Sequence, residues 1–169
     1  MGQVGRERWL KICEQASLKN PVFVSFEQYP DEQTYALVGA AAAEMNRPAT
    51  DLLEEIGEYW SRFTAQEGYG HLLDLAGSDF AAVISRLNDL HARLTVTLPE
   101  LRPPSFECSR KEDGTIVLRY FSERAGLAHL VIGLLKGLAH RFGQEATVCQ
   151  TGHRSDERAY DEFEVTLRE

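Results

Sequence analysis

Residues 80–94 read Phe80-Ala81-Ala82-Val83-Ile84-Ser85-Arg86-Leu87-Asn88-Asp89-Leu90-His91-Ala92-Arg93-Leu94. Phe80, Val83, Ile84, Leu87, Leu90, His91 and Leu94 recur in steps of three and four, the period of one helix face. The pattern predicts a helix opened by Ser78, with an imidazole carried inside its apolar stripe. Two readings of His91 stand side by side: an imidazole satisfied by a backbone carbonyl, or a ligand facing the interior. The chain on either side has to separate them.

Downstream, Pro99 and Leu101-Arg102-Pro103-Pro104 stop any helix, and the next twenty residues alternate as strands do. Ser105–Ser109 and Thr115–Ser122 flank Glu112-Asp113-Gly114, an Asp-Gly turn that predicts an antiparallel pair. A helix follows over about 126–142, with Leu127, Leu130, Val131, Leu134, Leu135 and Leu138 on it and Gly143 placed to end it. Ala146–Gln150 and Glu162–Leu167 read as two further strands.

Upstream, a short helix over 5–17 carries Trp9, Leu10 and Cys13 and stops at Asn20-Pro21. Tyr29-Pro30-Asp31 introduces a second helix over about 31–45, with Thr34, Leu37, Val38, Ala41, Ala42 and Met45 on its apolar side, closed by Arg47-Pro48. Thr50 caps a third, lined by Leu52, Leu53, Ile56, Tyr59, Trp60 and Phe63, and Gly68-Tyr69-Gly70 marks the loop after it. The expected class is α+β: a helical subdomain, 1–98, carrying His91 and packed on an antiparallel sheet with helices, 99–169, in one domain overall.

Composition narrows the function classes. The 169 residues are 43% hydrophobic and 26% charged, ordinary for a folded globular chain. A net charge of −8 disfavours nucleic acid and anionic membranes as partners. No run of about 18 apolar residues occurs, so the expected location is the cytoplasm. Cys13, Cys108 and Cys149 lie far apart and no CxxCH is present, which leaves no disulfide framework, zinc pair or thioether-linked heme. His71, His129, His140 and His153 each lack a second histidine at helical spacing and read as surface or packing residues. Glu54, Glu55 and Glu58 read as a solvated helix face. No GxSxG elbow is present, and an enzyme is not expected.

The second predicted strand of the hairpin places Tyr120 and Ser122 on one face, and Arg124 continues the same parity. A phenol, a hydroxyl and a guanidinium fork are all donors, suited to a carboxylate or phosphate. A plain polar sheet edge would carry the same residues.

Leu90-His91-Ala92-Arg93-Leu94, then Pro103-Pro104-Ser105-Phe106, then Tyr120-x-Ser122-x-Arg124 together resemble the H-NOX family, the heme nitric oxide/oxygen binding domains related to the sensor of soluble guanylate cyclase. Gly57-Glu58-Tyr59-Trp60 with Glu67-Gly68-Tyr69-Gly70 resembles cyanobacterial members, and the likeness runs from about Gly5 to the C-terminus. The resemblance implies heme b, iron protoporphyrin IX, as cofactor. It implies His91 as the proximal iron ligand, Tyr120, Ser122 and Arg124 as partners of the propionates, and Pro104 as the proline that presses on the macrocycle. Leu130 matches the position of the distal tyrosine of oxygen-binding relatives; lacking a donor, it implies preference for nitric oxide or carbon monoxide over oxygen. The Trp60 indole is the donor expected in that pocket.

The resemblance has one large departure. Family members begin with a further helix of about fifteen residues over the distal face. Trp9 matches a tryptophan near the start of the family's second helix, and Met1–Gly5 holds no counterpart of the first. The pocket is therefore expected to be more open on one side, which leaves a second reading: a sensor or carrier of the tetrapyrrole itself, exchangeable heme or a linear pigment. Closure by a second copy, forming a homodimer, is another consequence of such an opening. The expected output partner is a signalling protein such as a histidine kinase or a cyclic-dinucleotide enzyme.

Overall fold

The computed structural model describes residues 5–18, 22–24, 28–66 and 70–168. Helices α1 (Arg6–Gln15), α2 (Asp31–Met45), α3 (Ala49–Gln66), α4 (Gly70–Ala76), α5 (Phe80–Ser85) and α6 (Leu87–Thr97) precede strands β1 (Ser105–Arg110) and β2 (Ile116–Phe121). Helix α7 (Ala128–Arg141) and strands β3 (Glu145–Gly152) and β4 (Asp161–Arg168) follow. The chain forms two compact units, Met1–Leu53 and Glu54–Glu169.

In the first unit, α2 behaves as its periodicity predicts: Thr34, Leu37, Val38, Ala41, Ala42 and Met45 are half-buried, whereas Glu32, Tyr35, Gly39 and Ala43 are exposed. Asn46 closes it in the left-handed conformation, φ 50°. Helix α1 buries Ile12 and Cys13 and leaves Leu10 exposed, so Leu10 is not part of its apolar face. That helix ends at Gln15, with Ser17 at φ 57° reversing the chain; Asn20 and Pro21, the expected stop, lie outside the described residues. Glu44 joins α2 to α1 by accepting Lys11 Nζ at 2.6 Å and pairing with Arg8 at 3.5 Å.

The second unit is organised by a four-stranded antiparallel sheet in the order β1-β2-β4-β3. The Asp113-Gly114 turn forms as expected, with Gly114 at φ 86° and Asp113 Oδ1 accepting the Thr115 N–H. Alternation along β2 sends Ile116, Leu118 and Tyr120 into the core with Phe163 and Val165 of β4. Val131, Ile132, Leu135, Leu138 and Ala139 of α7 and Phe80, Val83 and Ile84 of α5 complete that cluster. Burial of each large side chain contributes about 1.5–3 kcal/mol. Gly143, at φ 70°, ends α7 as its position predicts.

The opposite face of α7 meets α3 at very close range. A Cβ on Gly57 would fall 2.8 Å from Leu134 N and against the Leu130 carbonyl, one on Gly137 2.7 Å from Ser61 Cβ, and one on Gly133 against the Glu54 carbonyl. Ser61 Oγ also donates to the Leu134 carbonyl at 3.0 Å. The side of α3 toward α7 is therefore Glu54, Gly57 and Ser61. Of the apolar residues expected on one side of α3, Leu52 is buried and Leu53 half-buried, whereas Ile56, Tyr59, Trp60 and Phe63 are exposed. Glu54 is likewise not a solvated carboxylate: its two oxygens pair with His129 Nδ1 at 3.1 Å and Lys136 Nζ at 2.8 Å.

The helix predicted from Ser78 is two helices. Asp79, not Ser78, caps α5 by accepting the Ala82 N–H at 2.9 Å. The turn at Arg86, whose guanidinium donates to the Ala76 carbonyl at 3.2 Å, separates α5 from α6. Thr50 lies inside α3, which starts one residue earlier, and α4 begins at Gly70 where a loop was expected; residues 67–69 lie outside the described residues.

Candidate functional site

Helix α6 carries His91 against the segment entering β1. The stripe that fills the core in α5 becomes half-buried in α6, where Leu87, Leu90, His91 and Leu94 are all partly accessible. His91 Nδ1 lies 3.0 Å from the Pro104 carbonyl oxygen. A carbonyl only accepts, so Nδ1 carries the proton and Nε2 keeps its lone pair. This is the arrangement that makes an imidazole a ligand through one nitrogen while a backbone oxygen fixes the ring through the other.

Burial pushes the His91 pKa below the ordinary histidine value of 6.5, opposed by the bond to the Pro104 carbonyl. The unfolded chain then binds a proton at higher pH than the folded one. Stability from the neutral ring is complete above about pH 6.5 and is lost as pH falls from there through the folded value. Melting midpoints followed from about pH 8 to pH 5 are expected to fall less in His91→Gln than in the wild type. Equal slopes would contradict this assignment.

Asn88, one turn before His91, escaped the sequence reading. Its Nδ2 donates to the Phe106 carbonyl at 2.7 Å and its Oδ1 accepts the Phe106 N–H at 2.9 Å. The side-chain amide thus pairs with β1 as a neighbouring strand would, and with the His91–Pro104 bond it sews α6 to the start of β1. An amide at an otherwise apolar slot of a helical repeat was the available signal.

An aromatic series leads from His91 into the sheet. The Phe106 ring lies 5.9 Å from the His91 ring and 5.6 Å from Tyr120, its cross-strand partner. Tyr120 is 6% exposed, Ser122 half-buried and Arg124 exposed. Strand alternation does not carry this row to its end, because β2 stops at Phe121. Ser122 Oγ instead accepts the Arg124 N–H at 3.1 Å, a local turn that keeps the hydroxyl proton available to another acceptor. Trp60 is 56% exposed on α3, and Leu130 is half-buried on α7.

The donor set fits a heme. It offers a neutral imidazole with its tautomer fixed, a proline carbonyl beside it, and hydroxyl and guanidinium donors for carboxylates on the adjoining strand end. Among the described residues no group of three or more His, Cys, Asp or Glu is placed to hold a metal ion by itself. A single imidazole suits an iron whose other ligands come from a macrocycle. Among the described residues, no helix is long and apolar enough to cross a membrane.

A family profile described as "Haem-NO-binding" matches residues 2–150. A soluble guanylate cyclase of Caenorhabditis elegans is 29% identical over 156 residues, which are 90% of this chain and 23% of that protein. The chain therefore spans about a quarter of that relative. Among solved structures, an H-NOX protein from S. oneidensis in the Fe(II)NO ligation state superposes with a TM-score of 0.83 at 22% identity, covering 95% of this chain and 88% of that one. An H-NOX domain from Shewanella oneidensis in the Fe(II)CO state gives 0.83 at 23% identity, covering 98% and 91%. The expected α+β fold, helices with a four-stranded antiparallel sheet, is that of these proteins.

Proposed function

The chain belongs to the haem-NO-binding, or H-NOX, family, and from that premise we propose that it is a heme-based sensor of nitric oxide or carbon monoxide, with His91 as the protein's ligand to the iron. The carrying observation is the His91–Pro104 hydrogen bond, which leaves Nε2 as the donating nitrogen. When bound, heme supplies an iron with a position for a diatomic gas. His91 holds the proximal side, Pro104 orients its ring, and Tyr120, Ser122 and Arg124 supply donors to the propionates. Leu130 gives the distal wall no hydrogen-bond donor, which withholds stabilisation from oxygen; the Trp60 indole is the donor assigned to that side.

The role proposed is sensing without catalysis, in the cytoplasm. The guanylate cyclase relatives support it as the sensing portion of a signalling system, since the chain matches only about a quarter of one of them. Signalling requires that the two ligation states differ in affinity for a partner, here a kinase or cyclic-nucleotide or cyclic-dinucleotide enzyme. The carrier reading is not favoured: the solved relatives are named for their nitric oxide and carbon monoxide states.

The test is spectroscopic. Purified protein titrated with heme, reduced, and exposed in turn to carbon monoxide, nitric oxide and air is expected to take up heme in equimolar amount. Its Soret band should move with the first two gases and stay in place in air. Absence of heme uptake overturns the proposal, and a stable oxygen complex overturns the distal assignment.

A further inference from the structure

Strand pairing ends among the residues assigned to the propionates, after Tyr120 and before Ser122 and Arg124. The last β2–β4 pair is Tyr120 with Asp161, and β2 itself ends at Phe121. Beyond that point the Ser122 carbonyl accepts a hydrogen bond from the Arg154 guanidinium at 2.6 Å. Arg154 stands 32 residues further along, in the loop after β3. It is itself anchored, since its backbone N–H donates to Asp161 Oδ1 at 3.0 Å and the same oxygen accepts Gln150 Nε2 at 2.8 Å. Tyr120, Asp161, Arg154 and Ser122 therefore close a ring of contacts across the place where the ladder gives out.

We propose that Arg154 is a positioning residue for the carboxylate clamp of Tyr120, Ser122 and Arg124, an inference that rests on the clamp reading above. The guanidinium bonds a neutral main-chain oxygen of the clamp although Asp156 and Glu157 lie two and three residues away in its own loop. Holding that carbonyl fixes the Ser122–Glu123 peptide plane. With the plane fixed, so are the origin of the Ser122 side chain and the turn that brings the Arg124 N–H onto Ser122 Oγ. The loop after β3 thereby sets the geometry of donors it does not itself contain.

The test is the rate at which the ferric holoprotein loses heme to excess apomyoglobin, with the propionate bending mode read by resonance Raman. Arg154→Ala is expected to speed heme loss about 5- to 10-fold, the scale of one ordinary intramolecular hydrogen bond, since Arg154 reaches the heme only through the clamp. It should also shift the propionate mode, while Arg154→Lys recovers part of both. In an Arg124→Ala background the same change is expected to add less than it does alone, because part of the effect of Arg154 passes through Arg124. If Arg124→Ala speeds heme loss but Arg154→Ala alters neither rate nor mode, the role of Arg154 is refuted alone. Full additivity of the two changes also refutes it, by showing a general loosening. If Arg124→Ala leaves the rate unchanged, the clamp reading fails first and the inference with it.

Discussion

His91→Ala is expected to give a folded protein that no longer retains heme. Losing an outer partner of a metal ligand costs about 10- to 100-fold in affinity, so losing the ligand itself should exceed about 100-fold. The fold should survive, because the ring is half-buried on α6 and its removal forfeits one hydrogen bond, about 1 kcal/mol. Heme titration followed at the Soret band, beside far-UV circular dichroism, checks both parts. A fully retained Soret band in His91→Ala would place the iron elsewhere. In His91→Gly, added imidazole should restore the band by filling the space left in the α6–β1 seam.

Gly133→Ala is expected to be strongly destabilising although it adds one methyl group. The new Cβ would overlap the Glu54 carbonyl and approach Glu54 Cα to 2.9 Å. Both sides of that contact are main chain, so relief requires moving α3 off α7 along its whole length. Overpacking of this kind costs about 3 kcal/mol, equivalent to a fall of about 6–12 °C in Tm for a chain of this size. Gly39→Ala supplies the contrast: Gly39 is exposed in α2 with nothing within 4 Å of its Cβ position. There the same change should stabilise by about 0.5–1 kcal/mol through helix propensity. Thermal melts of the two variants measure the difference, and equal midpoints would contradict the seam.

Much of the fold was legible because single residues announce local geometry. Pro30 introduces α2 and Arg47-Pro48 follows its end, Gly114 turns the hairpin, and Gly143 stops α7. The site was half legible. His91 stood out on an apolar stripe, but the stripe showed neither the break at Arg86, where the guanidinium bonds the Ala76 carbonyl, nor the change from buried to half-buried beyond it. On α3 the apolar side was legible but the contact with α7 was not, because Glu54, Gly57 and Ser61 make it without any large apolar residue. Main-chain approach between helices leaves only small residues as its trace. Asn88 and Arg154 act on backbone atoms 18 and 32 residues away, a kind of bond that periodicity does not encode.

Ring contacts run from His91 through Phe106 to Tyr120, so the proposed iron ligand packs continuously onto the strand that leads to the proposed clamp. Asn88 has a separate effect on the molecule's neighbours. Strand β1 is an edge of the sheet, and such an edge offers bare N–H and carbonyl groups to any extended chain that drifts past. By taking both polar groups of Phe106, the Asn88 amide leaves that position with nothing to offer. The amide that ties α6 to β1 thus also closes one position of an open sheet edge, and a variant lacking it would present that position bare to another extended chain.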